Sequence, residues 1–205
     1  MNARNTLIKT VALAAVLAVA TGCTPKTQNL TAGNVNEPTT MGLSSIDFER
    51  AASDAVQSLL ETGAVDRNDG KKNIMVISSV LNDTMQRIDT DQLVKKIRIE
   101  LLRSGKVYTT TAIGLNGAED KMNNVINELK QSKRVDRSTL VKQKLAAPNM
   151  SLSGKIIQRN NRVNSGEQLV EYYFQLTLTD LSNGLGIWEG ETPIRKLGSA
   201  KGTSW

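Results

Sequence analysis

The spacing of apolar residues changes at Pro148, and this change restricts the chain to folds in which helices and an antiparallel meander share one core. Beyond it, Met150, Leu152 and Ile156 alternate with Ser151, Ser153 and Lys155. Further on, Val170, Tyr172, Phe174, Leu176 and Leu178 alternate with Glu171, Tyr173, Gln175, Thr177 and Thr179. Successive side chains of a strand point to opposite faces, so this period of two describes half-buried antiparallel strands. Asn183-Gly184 offers the positive φ angles of a tight hairpin turn, and the chain returns through Ile187, Trp188 and Glu189 towards Pro193.

Upstream of Pro148 the period is helical. Ser44 or Ser45 can cap a first helix whose Phe48, Ala52, Ala55, Val56, Leu59 and Leu60 share one face, with Gly63 as its stop. The β-branched run Ile74 to Leu81 reads as an interior strand covered on both faces. Asp89 or Thr90 caps a second helix that turns Leu93, Val94, Ile97 and Leu101 inward and ends at Gly105. Lys106 to Ile113 reads as a strand, Glu119 to Gln131 as a third helix and Ser138 to Ala146 as a short fourth. This order predicts an α/β fold: a single layered domain with a mixed sheet of about four or five strands, packed by about four helices.

The first 22 residues read as a targeting segment rather than as fold. Arg4 and Lys9 precede an uninterrupted apolar run, Val11 to Ala20, which at ten residues is half of what a spanning helix needs. Ala20, Thr21 and Gly22 then lead to Cys23, the only cysteine. Small residues before a cysteine are the pattern of a lipoprotein signal peptide, because the thiolate accepts the lipid. An ordinary secretory leader with a leftover cysteine is the alternative. Lipidation at Cys23 would leave no thiol for disulfides, and two or three acyl chains make a lasting anchor. Thr24 in place of an Asp favours export to the outer membrane. Residues 23–43 read as the lipidated cysteine and a tether poor in apolar residues, which spans about 65 Å stretched and about 25 Å as a coil. Residues 44–198 are the expected globular domain, and 199–205 a flexible end that includes Trp205.

The chain has no histidine, which removes the usual general base near neutral pH and every imidazole-dependent triad. No phosphate-binding glycine loop and no S-x-x-K pair occurs. The carboxylate group nearest to a metal set, Asn82, Asp83, Asp89 and Asp91, reads as turn and cap residues, so neither a metal nor another cofactor is expected. Loss of Arg4 and Lys9 with the leader lowers the formal charge from +6 to +4, too little to demand nucleic acid. The charge is uneven, however: Lys130, Lys133, Arg134, Arg137, Lys142 and Lys144 are interrupted by one acid, Asp136. Such a stretch is either a solvated face or a surface for an acidic partner, and with Lys95 and Arg98 it forms the candidate docking set.

Ala147-Pro-Asn-Met150 leading into LSGKIIQ, and then Leu169 to Glu191, resemble the last three strands of the LpoB family, outer-membrane lipoproteins that activate class A penicillin-binding proteins. Asp180, Asn183-Gly184 and Trp188-Glu-Gly190 carry the resemblance most specifically, and it extends over roughly residues 44 to 195. The hairpin is similar also in the amino-terminal domain of TolB and in the curli-secretion lipoprotein CsgG. The resemblance implies a TolB-like domain facing the periplasm and a noncatalytic monomer whose partner is a bifunctional class A penicillin-binding protein. The alternative is an assembly lipoprotein of another envelope complex. The tether, with only Pro25 and Pro38, is shorter than the proline-rich one of enteric relatives.

Overall fold

The structure, a computed structural model, describes residues 39–113, 119–142 and 144–202. The first helix, α1 (Ser45–Glu61), is opened by a capping box in which Ser44 and Asp47 satisfy each other's backbone N–H groups. Its buried stripe is Phe48, Ala51, Ala52, Ala55, Val56 and Leu59. β1 (Asn73–Asp83) follows, and Asp89 caps α2 (Thr90–Arg103), which buries Leu93, Val94, Ile97 and Leu101. β2 (Val107–Thr109), α3 (Met122–Gln131) and the long strands β3 (Met150–Arg162), β4 (Glu167–Asp180) and β5 (Leu185–Ser199) complete the order.

The sheet runs β2-β1-β3-β4-β5, parallel across β2, β1 and β3 and antiparallel from β3 to β5. β1 is therefore interior, as its buried Met75, Val76 and Ile77 require. Both long helices share one face of the sheet: a small apolar gap is enclosed by Phe48 and Ala51 of α1, Leu93 of α2, and Ile156, Tyr172, Phe174 and Ile194 of three strands. The inward residues of β4 (Val170, Tyr172, Phe174, Leu176 and Leu178) are all buried, each contributing about 1.5 to 3 kcal/mol. On the opposite face, polar pairs cross the strands: Gln175 donates to Glu191 at 2.8 Å, Arg195 meets Glu171 at 3.1 Å and Lys155 meets Asp83 at 2.7 Å.

The mixed five-stranded sheet matches the expectation, with four local differences. β2 has three residues instead of the eight expected over 106–113, because it pairs only with Asn73–Met75. Thr110 then donates to the Met75 carbonyl, and its hydroxyl accepts from Ala112 N–H, which turns the chain away. The fourth helix is absent among the described residues. Asp136 accepts from the Ser138 N–H and hydroxyl, and the Thr139 hydroxyl bonds the Asp136 carbonyl, so local side-chain bonds take the place of a helical ladder.

The hairpin turn is longer than two residues. Asp180 accepts from the N–H and hydroxyl of Ser182, Gly184 N–H reaches the Asp180 carbonyl at 2.8 Å, and only Gly184 has positive φ, +74°. A carboxylate-capped turn closed by a left-handed glycine replaces the Asn-Gly turn. Finally, Leu43 is a core residue, so the folded part takes in the end of the segment expected as tether.

Candidate functional site

The segment Met41–Ser44, just before α1, is held by a grip of side chains from three elements. Lys196 of β5 is 8 % exposed; its ammonium donates to the Gly42 carbonyl at 2.7 Å and to Asp47 Oδ2 at 2.5 Å. The same Asp47 oxygen accepts from the backbone N–H and the hydroxyl of Ser44, so the lysine charge is met by an already fixed carboxylate. From β4, the Tyr172 hydroxyl donates to the Met41 carbonyl at 3.1 Å. Burial, with a smaller effect of the Asp47 charge, pushes that phenol up to about 12. Gln86 bonds both sides of Leu43, accepting from its N–H at 2.7 Å and donating to its carbonyl at 3.0 Å.

Alternation along β5 could have revealed Lys196. It is two residues beyond Ile194 on the inward face, opposite Val170 of β4. The alternation followed in the sequence ends at Pro193 and so does not reach this buried charge.

The candidate docking set lies in two parts of the chain. Lys95 and Arg98 are on α2, Lys95 exposed and Arg98 half-buried. Arg98 Nε is buried without a hydrogen-bond partner, and burial lowers the guanidinium's pKa. Lys130 lies in the last turn of α3 and its ammonium is 3.4 Å from Asn127 Oδ1, while Lys133, Arg134, Arg137, Lys142 and Lys144 are exposed on the irregular chain that follows. Among the described residues none of these six basic residues forms an ion pair. Elsewhere Lys96 pairs with Glu49, Lys106 with Asp66 and Lys155 with Asp83. Asp136 is turned to Ser138, whose hydroxyl and N–H hold its carboxyl below the usual range. No hydrogen bond or ion pair among the described residues joins the α2 basic residues to those after α3.

α3 itself places Met122, Val125, Ile126 and Leu129 on one face, yet none of its residues is buried, and Met122 is 51 % exposed. The side chains of Asn82, Asp83 and Asp89 are engaged within the fold. Asp83 pairs with Lys155, Asp89 accepts from Asp91 N–H at the start of α2, and Asn82 accepts from the N–H and hydroxyl of Thr84. Cys23, with Ala20, Thr21 and Gly22, lies outside the described residues, as do the leader, the tether to Pro38 and Trp205.

Trp188 is 8 % exposed opposite Leu178, and its indole lies across Gly190 so closely that a Cβ there would overlap the ring. Asn183 closes the other end, donating to Asp180 at 3.2 Å and accepting from Leu185 N–H at 2.8 Å. Asp, Asn-Gly and Trp-x-Gly thus describe one packed corner.

Over residues 47–194 the chain matches the family model described as peptidoglycan-synthase activator LpoB. Among solved structures it is similar to the LpoB C-terminal domain from Salmonella enterica, at 16 % identity and a TM-score of 0.43, covering 73 % of this chain and 99 % of that one. The LpoB C-terminal domain from Escherichia coli is similar at 17 % identity and a TM-score of 0.42, with the same coverage. Lipoprotein GNA1162 from Neisseria meningitidis is similar at 12 % identity and a TM-score of 0.38, covering 64 % of this chain and 86 % of that one. No curated protein matches.

Proposed function

The chain belongs to the LpoB family of peptidoglycan-synthase activators, and from that premise we propose that it is a noncatalytic outer-membrane lipoprotein that binds and activates a class A penicillin-binding protein. The family match over residues 47–194 carries this reading, since it takes in both helices of the core and nearly the whole sheet. Lipid at Cys23 fixes the protein to the inner leaflet, the residues up to Thr40 form the tether, and the domain acts as a monomer in the periplasm. Among the described residues no helix is long and apolar enough to cross a membrane.

Activation without catalysis requires a difference in affinity. A domain that binds the active form of a synthase more tightly than its resting form shifts the population by that difference and no more. Anchoring confines domain and synthase to one envelope and raises the local concentration of each for the other, so a modest interface suffices.

The discriminating experiment is crosslinking of the lipidated chain in intact envelopes followed by affinity purification. A bifunctional penicillin-binding protein should be the principal crosslinked species. Recovery of secretion or flagellar components in its place would favour an assembly role in another envelope complex.

A further inference from the structure

The segment from Met122 to Leu145 has the composition of an interfacial contact. α3 carries an apolar face at i, i+3, i+4 and i+7, of which Met122 is exposed and Val125, Ile126 and Leu129 are half-buried, and none of its residues is fully buried. The last turn of α3 and the irregular chain after it carry six basic residues and one acid within residues 130–144, none of the basic ones ion-paired among the described residues. Exposed apolar side chains are interspersed with them: Val141 is 63 % exposed and Leu145 54 %. An apolar helix face next to a dense, unpaired positive charge matches a surface that is apolar below and negative above.

We propose that this segment, α3 and the basic stretch to Leu145, rests on an anionic phospholipid surface and gives the domain a second, reversible membrane contact beside the lipid at Cys23. Charge complementarity selects the occupant, and chain length supports it. Seventeen residues, Thr24 to Thr40, separate Cys23 from the gripped Met41. A coil of that length averages about 23 Å, so on the lipoprotein reading the domain stays within reach of the leaflet that anchors it. The segment needs no shaped pocket there, because attraction of lysine and arginine to anionic headgroups acts through the summed potential. Membrane-bound and free positions of the domain would then compete, the free one being available to a protein partner.

The test uses the full mature chain with Cys23→Ser, so that no acyl chain contributes, sedimented with phosphatidylglycerol-containing or pure phosphatidylcholine vesicles. Binding is expected to the former only, and to fall steeply with salt. Each basic residue near an anionic surface strengthens binding by about fivefold, so Lys133→Glu, Arg134→Glu and Arg137→Glu together should weaken it at least tenfold. Val125→Ser with Leu129→Ser should weaken it at any salt concentration. Circular dichroism and the urea midpoint report whether the domain of each variant stays folded. Absence of binding to anionic vesicles would overturn the proposal. So would a folded charge-reversed variant that binds vesicles like the parent; if that variant also failed to capture the synthase, the segment would be a protein-docking face. These vesicle readouts contain no synthase, so their failure is separate from failure of the activator reading.

Discussion

Lys196 is the residue whose environment departs furthest from what its type prefers. A lysine ammonium at 8 % exposure is tolerated because Asp47 and the Gly42 carbonyl both meet it, and removal of the ammonium alone leaves the carboxylate without its partner. Lys196→Met should therefore destabilise the domain by about 3 kcal/mol, and Asp47→Asn added to it should cost little more. Urea denaturation of the single and double variants measures both. Gly190→Ala forces a methyl group into the Trp188 ring and should cost about 1 to 3 kcal/mol by the same assay.

The Tyr172 phenol gives a pH window. Its folded pKa, about 12, lies above the model-peptide value of 10, so the unfolded chain loses this proton first as pH rises. The contribution is intact below about pH 10 and lost between there and about pH 12. Tyr172→Phe should flatten that part of the stability profile while also removing the bond to Met41.

Elements differ in how plainly the sequence displays them. The inward residues of β3 and β4 and the core faces of α1 and α2 were legible because burial on one face imposes a strict period. β2 is shorter than the strand-like run Lys106 to Ile113 because it pairs with β1 only at Asn73–Met75, after which the bonds made by Thr110 turn the chain away. The fourth helix failed because Asp136, Ser138 and Thr139 bond locally. Of the candidate docking residues, their identity and surface position were legible, but not their split between α2 and the chain after α3.

α3 and α1 should also respond differently to the same insult. Asn127→Pro breaks α3 but touches nothing buried, so the urea midpoint should stay within error of the parent. Ala55→Pro breaks α1 at a buried position and should cost about 3 kcal/mol or more. Equal losses in the two variants would mean that α3 is coupled to the core.

At the scale of the molecule, the sheet and its two covering helices form the scaffold, and the grip around Met41–Ser44 holds the segment that precedes α1 against it. Alternation shows Lys196 on the inward face of β5, but the grip itself is not visible in the sequence because its members lie up to 154 residues apart and meet only in the folded domain. On the activator account, lipid and domain have separable duties. Cys23→Ser should leave folding and synthase binding unchanged in solution yet abolish function in cells at native expression, as read by crosslinked synthase and cell-wall synthesis. The most direct test is the glycan polymerisation rate of a purified bifunctional class A penicillin-binding protein titrated with the Cys23→Ser chain. The account predicts a rate that rises and saturates as the complex fills; a rate unchanged at saturating chain, with binding demonstrated in the same mixture, would contradict it.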